Sequence, residues 1–145
     1  MKKCLAAITA LLLLAACFCC PAQAASKKLV EVLMFTPGTT VDTAEENQRP
    51  TADDLDDALR AGSDAIAEGA KLTPGRMTVL GTGTVSNEEP EFWVSFKVWS
   101  TVERSIGLFF RADGEEDWTL MAANLGDVIE ACFPAPGTYA IAVGW

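Results

Sequence analysis

Phe92-Trp93-Val94-Ser95-Phe96-Lys97-Val98-Trp99 is the stretch that decides the fold. Phe92, Val94, Phe96 and Val98 fall on one parity, and Trp93, Ser95, Lys97 and Trp99 on the other. A period of two marks a β-strand with one face in a core, because successive side chains point to opposite sides. The Phe/Val face is expected inside and the Trp/Lys face opposite it. The same signal recurs on the C-terminal side. Residues 106–111 read as the next strand, and Ala112-Asp113-Gly114-Glu115 as a hairpin turn with a glycine for positive φ. Trp118-Thr119-Leu120-Met121 returns, Leu125-Gly126-Asp127 turns into residues 128–133, and Pro134-Ala135-Pro136-Gly137 turns into residues 139–143. On the N-terminal side, residues 77–85 form a strand with a bend expected at Gly81 or Gly83. Residues 28–35 form another, in which Val30, Val32 and Met34 alternate against Glu31. Short strands punctuated by turns every 8–12 residues or so predict a sandwich or barrel.

One helix interrupts the β pattern. Thr51-Ala52-Asp53-Asp54 is a capping-box-like start, and Asp53, Asp54, Asp56 and Asp57 lie where the helix dipole favours negative charge. Leu55, Leu59, Ile66 and Ala70, with Ala58 and Gly62, recur at helical spacing on one stripe. This predicts an amphipathic helix over about residues 52–71, ending before Pro74-Gly75. Gly62 and Gly69 weaken it by about 1 kcal/mol each relative to Ala, so its stability has to come from docking. Residues 39–50 are polar and acidic and read as a surface loop. The expected fold class is mainly β (α+β): an antiparallel β-sandwich with one N-terminal amphipathic helix packed on it.

The first residues carry a secretion signal. Lys2 and Lys3 form a basic n-region, residues 5–20 an apolar run, and Pro21 a break. Ala22-Gln23-Ala24 is a small-x-small cleavage site, so residues 1–24 are expected to be a signal peptide and residues 25–145 a single sandwich domain. The protein is then exported, to the periplasm or outside the cell. Leu14-Ala15-Ala16-Cys17 also reads as a lipobox, and the alternative is a membrane-anchored lipoprotein with Cys17 lipidated. The Cys17 reading leaves Phe18-Cys19-Cys20-Pro21 where a polar tether is usual. The apolar run is short for a bilayer span of about 20 residues.

Composition excludes several functions. The chain of 145 residues contains no histidine, which removes Ser-His-Asp and Cys-His nucleophilic chemistry and imidazole-ligated zinc. Its net charge is −9, and loss of Lys2 and Lys3 takes the 11 basic residues to 9 against 20 acidic ones, or −11. That argues against nucleic acid and anionic lipid as partners. Of five cysteines only Cys132 lies after the leader, so the body has no internal disulfide. Cys132 sits in an apolar strand without a basic neighbour and is expected to be a buried, inert thiol.

Three constellations of residues offer candidate chemistry. Trp93, Trp99, Trp118 and Trp145 are candidates for a stacking platform, and Trp93 and Trp99 share a strand face. They are the candidate ligand-binding residues, against the plainer expectation that the helix or the N-terminal strand covers them. Asp113-Gly114-Glu115-Glu116-Asp117 offers oxygen ligands but not the spacing of a helical calcium loop, and reads as a solvated hairpin tip. Gly81-Thr82-Gly83 lacks the lysine and following helix of a phosphate loop. No metal, cofactor or catalytic residue is assigned.

The runs Phe92–Val98, Ile106-Gly107-Leu108-Phe109-Phe110, Trp118, Gly126-Asp127-Val128-Ile129 and Pro136-Gly137-Thr138-Tyr139-Ala140-Ile141-Ala142-Val143 together resemble the immunoglobulin-like β-sandwich modules of bacterial secreted and cell-surface proteins. The resemblance covers residues 72–145 and departs at Pro136-Gly137-Thr138-Tyr139, a general sandwich ending. It implies a non-catalytic structural part. The expected function is interaction or assembly in the cell envelope or extracellular space, with an envelope or extracellular protein or polymer as partner. The alternatives are a carbohydrate-binding module using exposed Trp, or a small hydrolase working through paired carboxylates.

Overall fold

The computed structural model describes residues 29–62, 64, 66, 69–99 and 104–144. The expected signal peptide, with Cys17, and Trp145 lie outside the described residues. The strands are β1 (Val30–Phe35), β2 (Thr40–Thr43), β3 (Met77–Ser86), β4 (Phe92–Val98), β5 (Ser105–Ala112), β6 (Thr119–Leu125), β7 (Val128–Phe133) and β8 (Gly137–Gly144), with one α-helix, α1 (Ala52–Ala61), between β2 and β3. They form two antiparallel sheets, one in the order β1-β4-β7 and the other β2-β3-β8-β5-β6.

The two sheets stack as a sandwich. Phe92, Val94, Phe96 and Val98 of β4, with Ile129 and Phe133 of β7, meet Ile106, Leu108, Phe110, Tyr139, Ile141 and Val143 from β5 and β8. Aromatic rings lock this layer: Phe110 stands edge-on to Phe133 at 5.1 Å, and Phe96 packs on Tyr139 at 4.6 Å. Such pairs add about 0.5–1.5 kcal/mol beyond the area they bury.

The five-stranded sheet is covered on its other face as well. Leu55, Ala58 and Leu59 of α1 pack with Phe109, Trp118, Leu120, Ala140 and Ala142. The sequence of β8 shows why both faces close. Tyr139, Ile141 and Val143 fill the space between the sheets, while Ala140 and Ala142 are small enough to let the helical layer approach. Every residue of β8 is buried, so β8 has lost the polar alternation of a half-exposed strand.

The helix begins as expected. The Asp54 amide donates to Thr51 Oγ1 at 3.2 Å, and the Thr51 amide donates to Asp54 Oδ2 at 2.7 Å, closing the capping box. It ends at Ala61, nearly three turns before the expected residue 71. Gly62 caps it, and a Cβ there would meet Leu120 Cβ at 2.8 Å. The chain leaves the helix where it presses on β6, and Ile66 forms a bridge to Ala123 instead of a further helical turn. The apolar stripe of Ile66 continues the same covering layer in another conformation.

Two further expectations are corrected. The presumed loop over 39–50 contains β2, which pairs with β3 at the sheet edge through Val41↔Val85, and a short 3-10 turn, Glu46–Gln48. An edge strand of four residues with one inward apolar side chain leaves almost no periodic signal. In β1 the pairing shifts between Val32 and Met34. This bulge sends Met34 outward, away from the Val30/Val32 face with which it alternates in sequence.

Candidate functional site

Among the described residues, three of the four sheet faces of the sandwich are packed. The fourth is the outer face of β1-β4-β7. Its central strand presents Trp93, Ser95, Lys97 and then Trp99, because the inner parity is taken by Phe92, Val94, Phe96 and Val98. Trp93 is 54 % exposed and Trp99 55 %. The expectation that the helix or N-terminal strand covers them is therefore overturned. α1 lies on the other sheet, and β1 runs beside β4, not over it.

At one end of the face, Met34, Phe35, Thr36, Trp93, Ser95 and Glu130 line a shallow depression. Met34 is 74 % exposed on this face, and Phe35, the register partner of inward Val94, is 52 % exposed at the end of β1. The backbone here is well held: the Trp93 amide donates to Thr36 Oγ1 at 2.9 Å, and the Thr36 amide returns a bond to the Trp93 carbonyl at 2.9 Å. Across to β7, Ser95 pairs with Glu130 and Trp93 with Cys132. Cys132 is half-buried on this open face, not buried in the core as expected. The parity of β7 explains it, since Ile129, Ala131 and Phe133 take the inner positions.

The other end is already occupied by the protein's own groups. Lys97 Nζ lies 5.3 Å from the Trp99 ring centroid, a cation–π contact. The same ammonium pairs with Asp127. The hydrogen bond from Lys97, with its charge, holds the exposed Asp127 carboxyl below the usual carboxylate range. The Trp99 indole N–H donates to Glu31 Oε2 at 3.2 Å. Trp99 is thus tied down at its nitrogen and on one ring face, whereas Trp93 carries no cation among the described residues.

The other sequence candidates are not brought to this face. Trp118 is buried under the helical layer, with Arg111 5.1 Å from its ring. Asp113 to Asp117 form the β5–β6 turn, where Gly114 adopts φ +82°. The Asp53–Asp57 carboxylates serve the helix start, Asp57 pairs with Arg60, and Asp56 Oδ1 accepts from the Gly75 amide at 2.9 Å. Among the described residues no three acidic or cysteine side chains gather as a metal site, and no helix is long and apolar enough to cross a membrane. Tyr139, the lone tyrosine, is a poor proton carrier: burial pushes its hydroxyl up to about 12.

Sequence reasoning found Trp93 and Trp99 but missed Met34, Phe35 and Glu130. Glu130 was legible as the outward position of a strand. The β1 bulge that turns Met34 outward has no glycine or proline to announce it. Comparison with protein families, curated proteins and solved structures finds no match.

Proposed function

We propose that this chain is a non-catalytic interaction module, exported to the cell envelope or beyond, that binds a protein partner through the outer face of β1-β4-β7. The observation that carries this reading is the one sheet face left uncovered among the described residues, bearing Trp93 and Met34 in a fold whose other faces are packed. Trp and Met are among the side chains enriched at the centres of protein interfaces. The leader at residues 1–24 and the likeness to immunoglobulin-like modules of secreted bacterial proteins support the setting and the absence of catalysis.

A carbohydrate-binding role is the second reading, favoured by the exposure of both Trp93 and Trp99. Two features weigh against it. The six-residue separation puts these rings about 20 Å apart along the strand. Lys97 and Glu31 already engage Trp99, so the two do not act as equivalent stacking rungs. Around Trp93 the surface is mainly apolar, where sugar hydroxyls would find few partners.

The test is retention of envelope proteins and of envelope polysaccharides from the source cells on immobilised protein, compared with Trp93→Ala and with the surface control Asp53→Ala. The reading expects a protein partner lost with Trp93→Ala and kept with Asp53→Ala. Polysaccharide retention lost with Trp93→Ala would favour the second reading. Turnover in a broad hydrolase screen, abolished by changing one carboxylate to its amide, would overturn the non-catalytic role.

A further inference from the structure

We propose that the depression beside Trp93 receives one cationic side chain, lysine or arginine, from a basic segment of the partner. The inference rests on reading the open face as a binding surface, and it specifies the chemistry of what binds there.

The depression joins an aromatic wall to a single carboxylate. Trp93 supplies the ring, Met34, the register partner of outward Ser95, an exposed apolar surface, and Glu130 the charge. Lysine and arginine match such a surface because they lay an apolar stem along it while the charged head meets the carboxylate. A cation over an indole face is attracted by the ring quadrupole. Glu130 makes no ion pair among the described residues. No basic side chain lines the depression.

The same face already displays this arrangement at its other end. There Lys97 lies over Trp99 and pairs with Asp127, just before β7. Trp93 on β4 and Glu130 on β7 again set an indole near a carboxylate on this face, as Trp99 just after β4 and Asp127 just before β7 do, but with no cation among the described residues. The segment entering β4 strengthens the field: Glu88, Glu89 and Glu91 are all exposed and lie within five residues of Trp93 in sequence. A net charge of −9 favours approach of a basic segment at long range. An aliphatic side chain would cover Glu130 without pairing it, and an acidic one would be repelled.

The full chain is titrated with N-acetyl-arginine methylamide while the Trp93 indole N–H resonance is followed, assigned by its loss in Trp93→Phe. N-acetyl-norleucine methylamide is the neutral probe, and a cello-oligosaccharide the sugar probe. The proposal expects a saturable shift with the arginine probe that is weakened by added salt. Binding should be about fivefold weaker in Glu130→Gln, with the norleucine response unchanged. Equal shifts by the arginine and norleucine probes, or no effect of Glu130→Gln, would overturn the cationic site and leave the open face standing as an apolar docking surface. A response to the oligosaccharide alone would overturn both. Silence to all three probes would overturn the cationic site, while retention of a partner dependent on Trp93 would still uphold the wider reading.

Discussion

Trp93 and Cys132 are register partners across β4 and β7, and both point to the side of the sheet that no helix covers among the described residues. Directly opposed residues have Cβ atoms about 5 Å apart, so the thiol and the indole report on the same patch. In a chain beginning at Ala25, where Cys132 is the one cysteine, a thiol reagent should label the native protein without unfolding it. The adduct should change Trp93 fluorescence and block whatever Trp93→Ala blocks. Labelling kinetics in native and denaturing buffer check this. A native rate limited by global unfolding would place Cys132 in the core after all.

The helical layer and the sandwich should unfold together. Leu59 is buried with Leu55, Phe109 and Trp118 on the outer face of the five-stranded sheet. Leu59→Ala should cost about 2–5 kcal/mol, seen as one shifted denaturant transition by both circular dichroism and tryptophan fluorescence. Two separated transitions would contradict a shared core.

Gly62 offers a test of sign. Its φ of −107° is open to any residue, so helix propensity and chain entropy favour Gly62→Ala. The Cβ would, however, lie 2.8 Å from Leu120 Cβ. The close approach should win, and Gly62→Ala should destabilise by about 1–3 kcal/mol. A gain in thermal midpoint would show that α1 is not pressed on β6 there.

Stability should fall at high pH through Tyr139. Its folded hydroxyl titrates near 12 against 10 when unfolded, so the folded state holds the proton more tightly between these values. The stabilisation is whole below pH 10 and declines as pH rises towards 12, by roughly 2–3 kcal/mol in all. Tyr139→Phe should flatten this part of the profile. An equal decline in the Phe variant would assign it to other groups.

Most of the sandwich was legible because a half-buried strand writes its period into the sequence. The β4 alternation from Phe92 to Val98 is the clearest case, and β5, β7 and β8 follow from apolar runs between glycine- and proline-marked turns. What escaped was set by tertiary contact. The end of α1 is decided by Leu120, a residue far away in sequence, while the stripe through Ile66 and Ala70 continues at helical spacing. β2 is too short to show a period, and the β1 bulge leaves no compositional mark. The site divides similarly. Trp93 and Trp99 were visible as one strand face, but their exposure depends on which sheet the helix chooses, and local sequence does not encode that choice. The Ala140/Ala142 pair in β8 is the nearest signal, since small residues on one face of a central strand make room for a helix.

Site-specific photocrosslinking in the source cells tests the central claim most directly. A photoreactive residue is placed at Ser95, in the middle of the open face, or at Asp53, on the exposed start of α1. The account predicts a discrete protein adduct from Ser95 that is absent from Asp53 and lost when Trp93→Ala is added. Adducts that form equally from both positions, or from Asp53 alone, would contradict the assignment of the β1-β4-β7 face as the binding surface.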